Sequence, residues 1–229
     1  MVQVANRIKI TKAKIVEDSY SYDSAIALLK DFPPVKFIES VEAHISLNID
    51  PKYSDQQLRT TVILPKGTGK KVRIAVLAND EQHNLAKEAG AEIVGSDSLI
   101  DEINQGNLDF DLLIATPELM PKIAKLGRVL GPKGLMPSPK AGTVSTDLEQ
   151  TINEFKKGKL EYRADKAGIV HLSFGKIDFS KEDLIENLKA VYRSIEQNKP
   201  SGVKGRYFKT FYICSTMSPS IRIDLASFD

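Results

Sequence analysis

Tryptophan is absent from this chain of 229 residues, cysteine occurs once, at Cys214, and histidine three times, at His44, His83 and His171. A single thiol excludes an intramolecular disulfide and points to a reducing compartment. The histidines stand far apart, none with a second His or Cys at metal-ligand spacing, so no metal site is expected. His44 and His171 read as ordinary strand residues, and Cys214 as a buried one. No run of eighteen apolar residues occurs, which argues against a membrane span. The opening MVQVANRIKITKAKIVEDSY lacks an apolar core and has Glu17 and Asp18 early, so neither a signal nor a transit peptide is expected.

Acidic residues are missing from Lys125 to Thr146, KLGRVLGPKGLMPSPKAGTVST, where four glycines and three prolines accompany Lys125, Arg128, Lys133 and Lys140. That density of Gly and Pro predicts a loop rather than a helix or strand. Val129, Leu130, Leu135, Met136 and Val144 give it apolar anchors that a floppy linker would lack. A basic, anchored, glycine-rich loop suits a polyanion. The bland alternative is a solvated connection whose lysines only keep it soluble.

Around this loop the hydrophobic pattern changes style twice. Residues 1–19 read as a short helix or a loosely docked arm. Ser21 reads as the N-cap of a helix over about 22–31, stopped by Pro33-Pro34. KFIESVEAHISLNID then alternates apolar and polar, the mark of a half-buried antiparallel strand, and a second strand follows around Arg59–Leu64. After PKGTGKK the strands become continuous apolar runs, VRIAVLA, AEIVG and DLLIA, separated by helices that begin at Asn79, at Ser96 or Ser98, and at Thr116-Pro117. Thr146-Asp147-Leu148-Glu149 reads as a capping box for a further helix, closed by Gly158. From Leu160 the antiparallel style returns: LEYRAD and IVHLSFG flank a tight Lys166-Ala167-Gly168 turn. Ser180 caps a helix over about 181–197, and RYFKTFYICSTMSPSIRIDL reads as two strands joined at Met217–Ser218.

The fold class expected is α/β with two domains. Residues 1–66 plus 159–229 would form a discontinuous α+β outer domain with an antiparallel sheet, and 67–158 an inserted Rossmann-like three-layer α/β domain. Three consecutive small units are the alternative. Net charge is only +2, but residues 120–158 carry seven Lys/Arg against three Asp/Glu, so basic charge gathers around the loop. An enzyme that uses a nucleotide is the competing functional reading, and its motifs are missing. Gly69-Lys70 is followed by Lys71 and precedes a strand, unlike a P-loop, and Asn79-Asp80-Glu81 stands where G-x-G-x-x-G would begin. No Ser/His/Asp order, Cys/His pair or carboxylate dyad stands out.

GRVLGPKGLMPSPKAGTV closely resembles the hallmark segment of the L-one family of ribosomal proteins. The likeness runs along essentially the whole chain, through KFIESVEAHISLNIDPKYSDQQLRTTVILPKGTGKKVRI, the DKAGIVH turn and the STMSPSIRI end. The family has a discontinuous outer domain and a Rossmann-like inner one. The resemblance implies a non-enzymatic, cofactor-free constituent of the large ribosomal subunit, a monomer within the ribosome. It implies that the outer domain grips large-subunit rRNA at the mobile stalk beside the tRNA exit site. The matching positions are Lys36, Phe37, Ser40, Thr210, Thr216, Met217 and Ser218, with Lys166, Gly168 and His171 in a second rank. Through Arg128, Lys133 and Lys140 the inner domain would meet exit-site tRNA, or further rRNA, and assist release of deacylated tRNA. Bacterial-type members also repress their own mRNA by mimicry of the rRNA site. The family commonly has Gly where Ser218 stands, so a Cβ occupies space there, and Ser where Thr210 stands, which keeps a hydroxyl. A bacterial cytoplasm and a plastid stroma are equally compatible locations.

Overall fold

Alternation of buried and half-exposed side chains from Ser40 to Leu47 sets the architecture of the first unit. The computed structural model describes residues 6–203 and 205–228. In chain order come α1 (Asn6–Lys14), α2 (Tyr22–Lys30), β1 (Ser40–Leu47) and β2 (Arg59–Ile63). Then follow β3 (Ile74–Leu77), α3 (His83–Glu88), β4 (Ile93–Gly95), α4 (Asp97–Asn104), β5 (Leu112–Ala115), α5 (Met120–Ile123), α6 (Gly127–Lys133) and α7 (Leu148–Lys156). The last are β6 (Lys159–Arg163), β7 (Ile169–Lys176), α8 (Lys181–Gln197), β8 (Phe208–Ser215) and β9 (Ile221–Ile223). The fold is mixed α/β, and no described helix is long and apolar enough to cross a membrane. By contact density the chain divides into two compact units, Met1–Gly69 with Leu160–Asp229, and Lys70–Lys159.

In the first unit β1 lies inside an antiparallel sheet of order β7-β1-β8-β9. Val41, Ala43, Ile45 and Leu47 point to one face, where they pack with Ala25, Ile26 and Leu29 of α2 and Leu184, Leu188, Val191 and Ile195 of α8. Each buried Val, Leu or Ile among them stabilises the unit by about 1.5–3 kcal/mol relative to exposure. Both helices are capped as their sequences predict: Ser21 Oγ accepts from the Ser24 amide, and Ser180 Oγ from the Asp183 amide. Such a cap contributes about 1 kcal/mol. The arm folds as α1 over residues 6–14, and residues 1–5 lie outside the described residues. One expectation changes. β6 joins β2 in a separate two-stranded sheet and meets β7 only through the bridge Ala164–Val170. Asp165 Oδ1 accepts from the Ala167 and Ile169 amides, and Gly168 sits at φ +76°, so the chain turns away after that one bridge.

In the second unit β4-β3-β5 form a parallel sheet covered on both faces. Ala75, Leu77, Leu113 and Ala115 pack with Leu99, Ile103, Ile123 and Leu130 on one side. Ile74, Val76 and Ile114 pack with Ala86, Leu148, Ile152 and Phe155 on the other, giving three layers. Local details differ from the sequence reading. Asn79 makes no side-chain cap bond; its side-chain Nδ2 donates to Glu118 Oε2, and a 3-10 turn precedes α3. Asp147, rather than Thr146, caps α7 by accepting from the Gln150 amide at 3.1 Å. The basic segment, expected to hold no helix, contains α6 with Pro132 inside it. Burial of Leu126 and Leu130 in the core outweighs the poor propensity and the backbone bond that Pro132 cannot donate, and Gly134 closes the last turn at φ +71°. Beyond α6, Thr143 ties the loop to Ser138, while Ala115 and Val144 pair as a parallel bridge alongside β5.

Candidate nucleic-acid interface

The sheet face turned away from α2 and α8 carries the polar halves of the strands. β1 contributes Ser40, Glu42, His44 and Ser46, β8 contributes Thr210, Tyr212 and Cys214, and β7 contributes His171, Ser173 and Lys176, all exposed or half-buried. An antiparallel sheet with one packed face and one wet face is a stable arrangement, and it leaves a broad, hydroxyl-rich platform.

At the start of β1 the two ends of the chain meet. The Ser40 amide donates to Thr216 Oγ1 at 3.1 Å, and the Thr216 amide donates to the Ser40 carbonyl at 3.1 Å. Lys176 Nζ donates to Ser40 Oγ at 2.8 Å. Beside them stand three outward apolar side chains, Phe37, Ile38 and Met217, each more than half exposed. Beneath this rim lies a buried carboxylate. Glu39 accepts from the Met217 amide at 2.9 Å and pairs with Arg7 at 3.1 Å. Arg7 also donates to the Pro33 carbonyl at 3.0 Å and to the Met217 carbonyl, so α1 clamps both stretches that carry the exposed apolar groups. Ser218 tightens the hairpin further: its hydroxyl accepts from the Ser215 amide at 2.8 Å and donates to the Pro219 carbonyl at 3.1 Å.

Of the residues singled out from sequence, Lys36, Phe37, Ser40, Thr216, Met217 and Ser218 gather at this end. Thr210 shares the open face but sits opposite Ser46, near the far end of β1. Lys166 is exposed in the turn at that far end. Gly168 is buried there, and a Cβ would stand 3.1 Å from Ile49, so packing and its φ account for the glycine. His171 lies opposite His44 in mid-sheet, with the two Nδ1 atoms 2.8 Å apart. The histidines are therefore partners rather than unrelated strand residues, and Cys214 is half-buried rather than buried. Burial and the neighbouring His171 lower the His44 pKa, while burial raises that of the Cys214 thiol. Asp165 is held below its ordinary value, chiefly by the Ile169 amide, with the Ala167 amide and His171 adding to it.

Arg128, Lys133 and Lys140 belong to the other unit. All three are exposed, and among the described residues none has an acidic partner within ion-pair distance. Gly127 and Gly131, one helical turn apart in α6, have open space where a Cβ would stand. Sequence reasoning missed Arg7, Glu39 and Lys176. Their roles depend on contacts across 32 to 210 positions, and no local pattern marks them.

A parallel three-layer unit and an antiparallel unit with an open polar face make this a mixed α/β chain. The chain belongs to the family described as ribosomal protein L1p/L10e, whose profile matches residues 29–219. It is 62% identical over 228 residues to a large ribosomal subunit protein uL1c of Rhodomonas salina, spanning 100% of this chain and 97% of that protein. It is 61% identical to a protein of the same name from Phaeodactylum tricornutum over the full length of both. It is 60% identical to a large ribosomal subunit protein uL1 of Prochlorococcus marinus over 227 residues, 99% of this chain and 97% of that one. Membership makes the chain a structural constituent of the large ribosomal subunit, in a family without enzymatic activity.

Proposed function

We propose that the first unit binds large-subunit rRNA of the mobile stalk through the rim where the chain ends meet. The observation that carries this reading is the ion pair of part-buried Arg7 with buried Glu39, which holds Met217 and its exposed neighbours in place. Exposed Phe37 and Met217 offer apolar surfaces for bases, and Ser40, Thr216 and Thr210 offer hydroxyls on the adjoining face. Folded RNA is read through shape, stacking, 2′-hydroxyls and phosphates, which such groups suit better than a dense cationic patch. Lys36 supplies phosphate contact, and Lys166 and His171 extend the footprint along the sheet. In this reading the first unit is the outer rRNA-binding domain and the second the inserted domain of the family.

The second unit makes a transient contact with exit-site tRNA, or a second segment of rRNA, through Arg128, Lys133 and Lys140. Open glycine positions on the exposed side of α6 support close backbone approach there. Release of deacylated tRNA and repression of the chain's own mRNA would use these two surfaces, the latter by mimicry of the rRNA site. The ribosome concerned is that of a bacterial cytoplasm or a plastid stroma, the two settings of its relatives. Filter binding against the stalk rRNA fragment tests the central claim. Affinity well above that for unrelated RNA, with a shallow salt dependence, is expected. Equal affinity for both RNAs would sink it.

A further inference from the structure

Mid-way along the open face, three side chains of different chemistry converge. Glu42 and His44 are two residues apart on β1 and so share a face, and Cys214 stands directly opposite Glu42 on β8. His44 Nε2 lies 3.2 Å from Cys214 Sγ and 3.8 Å from Glu42 Oε2, and one donor atom from each residue falls within 4.8 Å of the others. A tetrahedral Zn2+ with bonds of about 2.3 Å to sulfur and 2.0–2.1 Å to nitrogen and oxygen requires ligand separations of roughly 3.3–3.6 Å. The side chains already stand within a few tenths of an ångström of that spacing for both pairs that include His44.

The next shell points the same way. His171 faces Asp165 through Nε2 at 3.6 Å and His44 through Nδ1 at 2.8 Å. An Nε2 proton on His171 lies toward the Asp165 carboxylate at 3.6 Å, an electrostatic contact longer than a hydrogen bond, and in that tautomer His171 Nδ1 accepts from His44 Nδ1–H. A proton on His44 Nδ1 leaves the lone pair of His44 Nε2 aimed between the thiol and the carboxylate. A metal-bound imidazole whose other nitrogen donates into a chain ending on a carboxylate is the arrangement that orients and strengthens such ligands. Without a cation, a weak S–H donor is the only hydrogen among the described residues that reaches Nε2, and the Glu42 carboxylate faces a lone pair.

We propose that Glu42, His44 and Cys214 form a binding site for one Zn2+ ion on the open sheet face, with a fourth position left to water. Binding releases the Cys214 proton to solvent and leaves a zinc thiolate, with no change of oxidation state. The site goes beyond the rRNA reading and is measured on the protein without RNA, so either can fail alone.

Cobalt titration of the full, chelator-treated chain provides the test. One equivalent of Co2+ should give a near-ultraviolet thiolate-to-metal charge-transfer band and strong visible bands of a four-coordinate ion, both erased by Zn2+. Cys214→Ser should abolish the charge-transfer band. Glu42→Gln and His171→Ala should keep it while weakening binding about tenfold or more. Absence of the band in the natural chain, or undiminished affinity in Glu42→Gln, overturns the site. A second readout does not depend on any variant's folding: one equivalent of Zn2+ should slow iodoacetamide alkylation of Cys214 in the unaltered chain. An unchanged alkylation rate overturns it as well.

Discussion

Phe37 and Met217 are more than half exposed although each is large and apolar, and nothing in the first unit's core needs them outside. Their exposure makes sense as stacking and packing surface for nucleotides, so Phe37→Ala and Met217→Asp should each weaken binding to the stalk rRNA fragment about tenfold or more, at about 1–3 kcal/mol per base stacked. Lys133→Ala, in the other unit, should change it less than twofold. Equal losses for all three in the same filter-binding series would refute the assignment of the grip to the first unit. Ser218 shows how a side chain can substitute for a missing glycine. It has no left-handed backbone to require Gly, and its hydroxyl spans the hairpin between Ser215 and Pro219.

At the scale of elements, α1 matters more than its weak sequence suggests. It is nine residues long with one buried residue, Thr11, yet Arg7 on it neutralises the buried Glu39. Arg7 is only part-buried and Glu39 keeps the Met217 amide, so removing Arg7 costs less than the ~3–5 kcal/mol of a fully buried pair. Arg7→Ala should therefore lower the urea midpoint of the first unit and weaken rRNA binding as Met217 loses its brace. Unchanged stability would show that Glu39 finds water or another partner. Helices and strands with a strong periodic signal were readable from the residues alone: α8 spans 181–197 as its Ser180 cap and apolar stripe imply, and β1 alternates as written. What escaped was the set by partners distant in sequence. β6 leaves β7 for β2, a helix forms across Pro132 because Leu126 and Leu130 dock in a core, and His44 meets His171 across 127 positions. Within the candidate interface, the resemblance pointed to Ser40, Thr216, Met217 and Ser218, which the fold brings to one rim, whereas Arg7, Glu39 and Lys176 carry no pattern that period or spacing could reveal.

For the whole molecule, acid sensitivity follows from carboxylates in both units. Asp111 is held below its ordinary pKa by Lys70 first and then the Arg73 amide, and Glu154 by Lys159 and then Gln150. Asp165 is lowered by the Ile169 amide, and Asp183 by the Ser180 hydroxyl and then Lys66. A depressed folded-state pKa contributes stability that is complete above the unfolded values, near 4, and is lost as pH falls through the folded ones. Urea midpoints should slip below about pH 6.5, where the lowered His44 pKa lets the unfolded chain take up a proton that the folded one does not, and drop more steeply below about pH 4 as the carboxylates protonate. Asp111→Asn should flatten the drop in the second unit, and a drop unaltered by that change would remove Asp111 from the account.

The pairing of β1 with β7 and β8 also fixes a timetable for the newborn chain. Ser46 leaves the synthesising ribosome about 120 residues before its partner Ile169 and about 160 before Thr210. At about 5–20 residues per second that is a wait of roughly 6–30 s. During it the segment that holds the parallel sheet, in which β3 pairs with β4 and β5, has time to complete its three layers. The last-made strand segments then close the first unit, so the rim that carries Met217 exists only once synthesis is nearly finished.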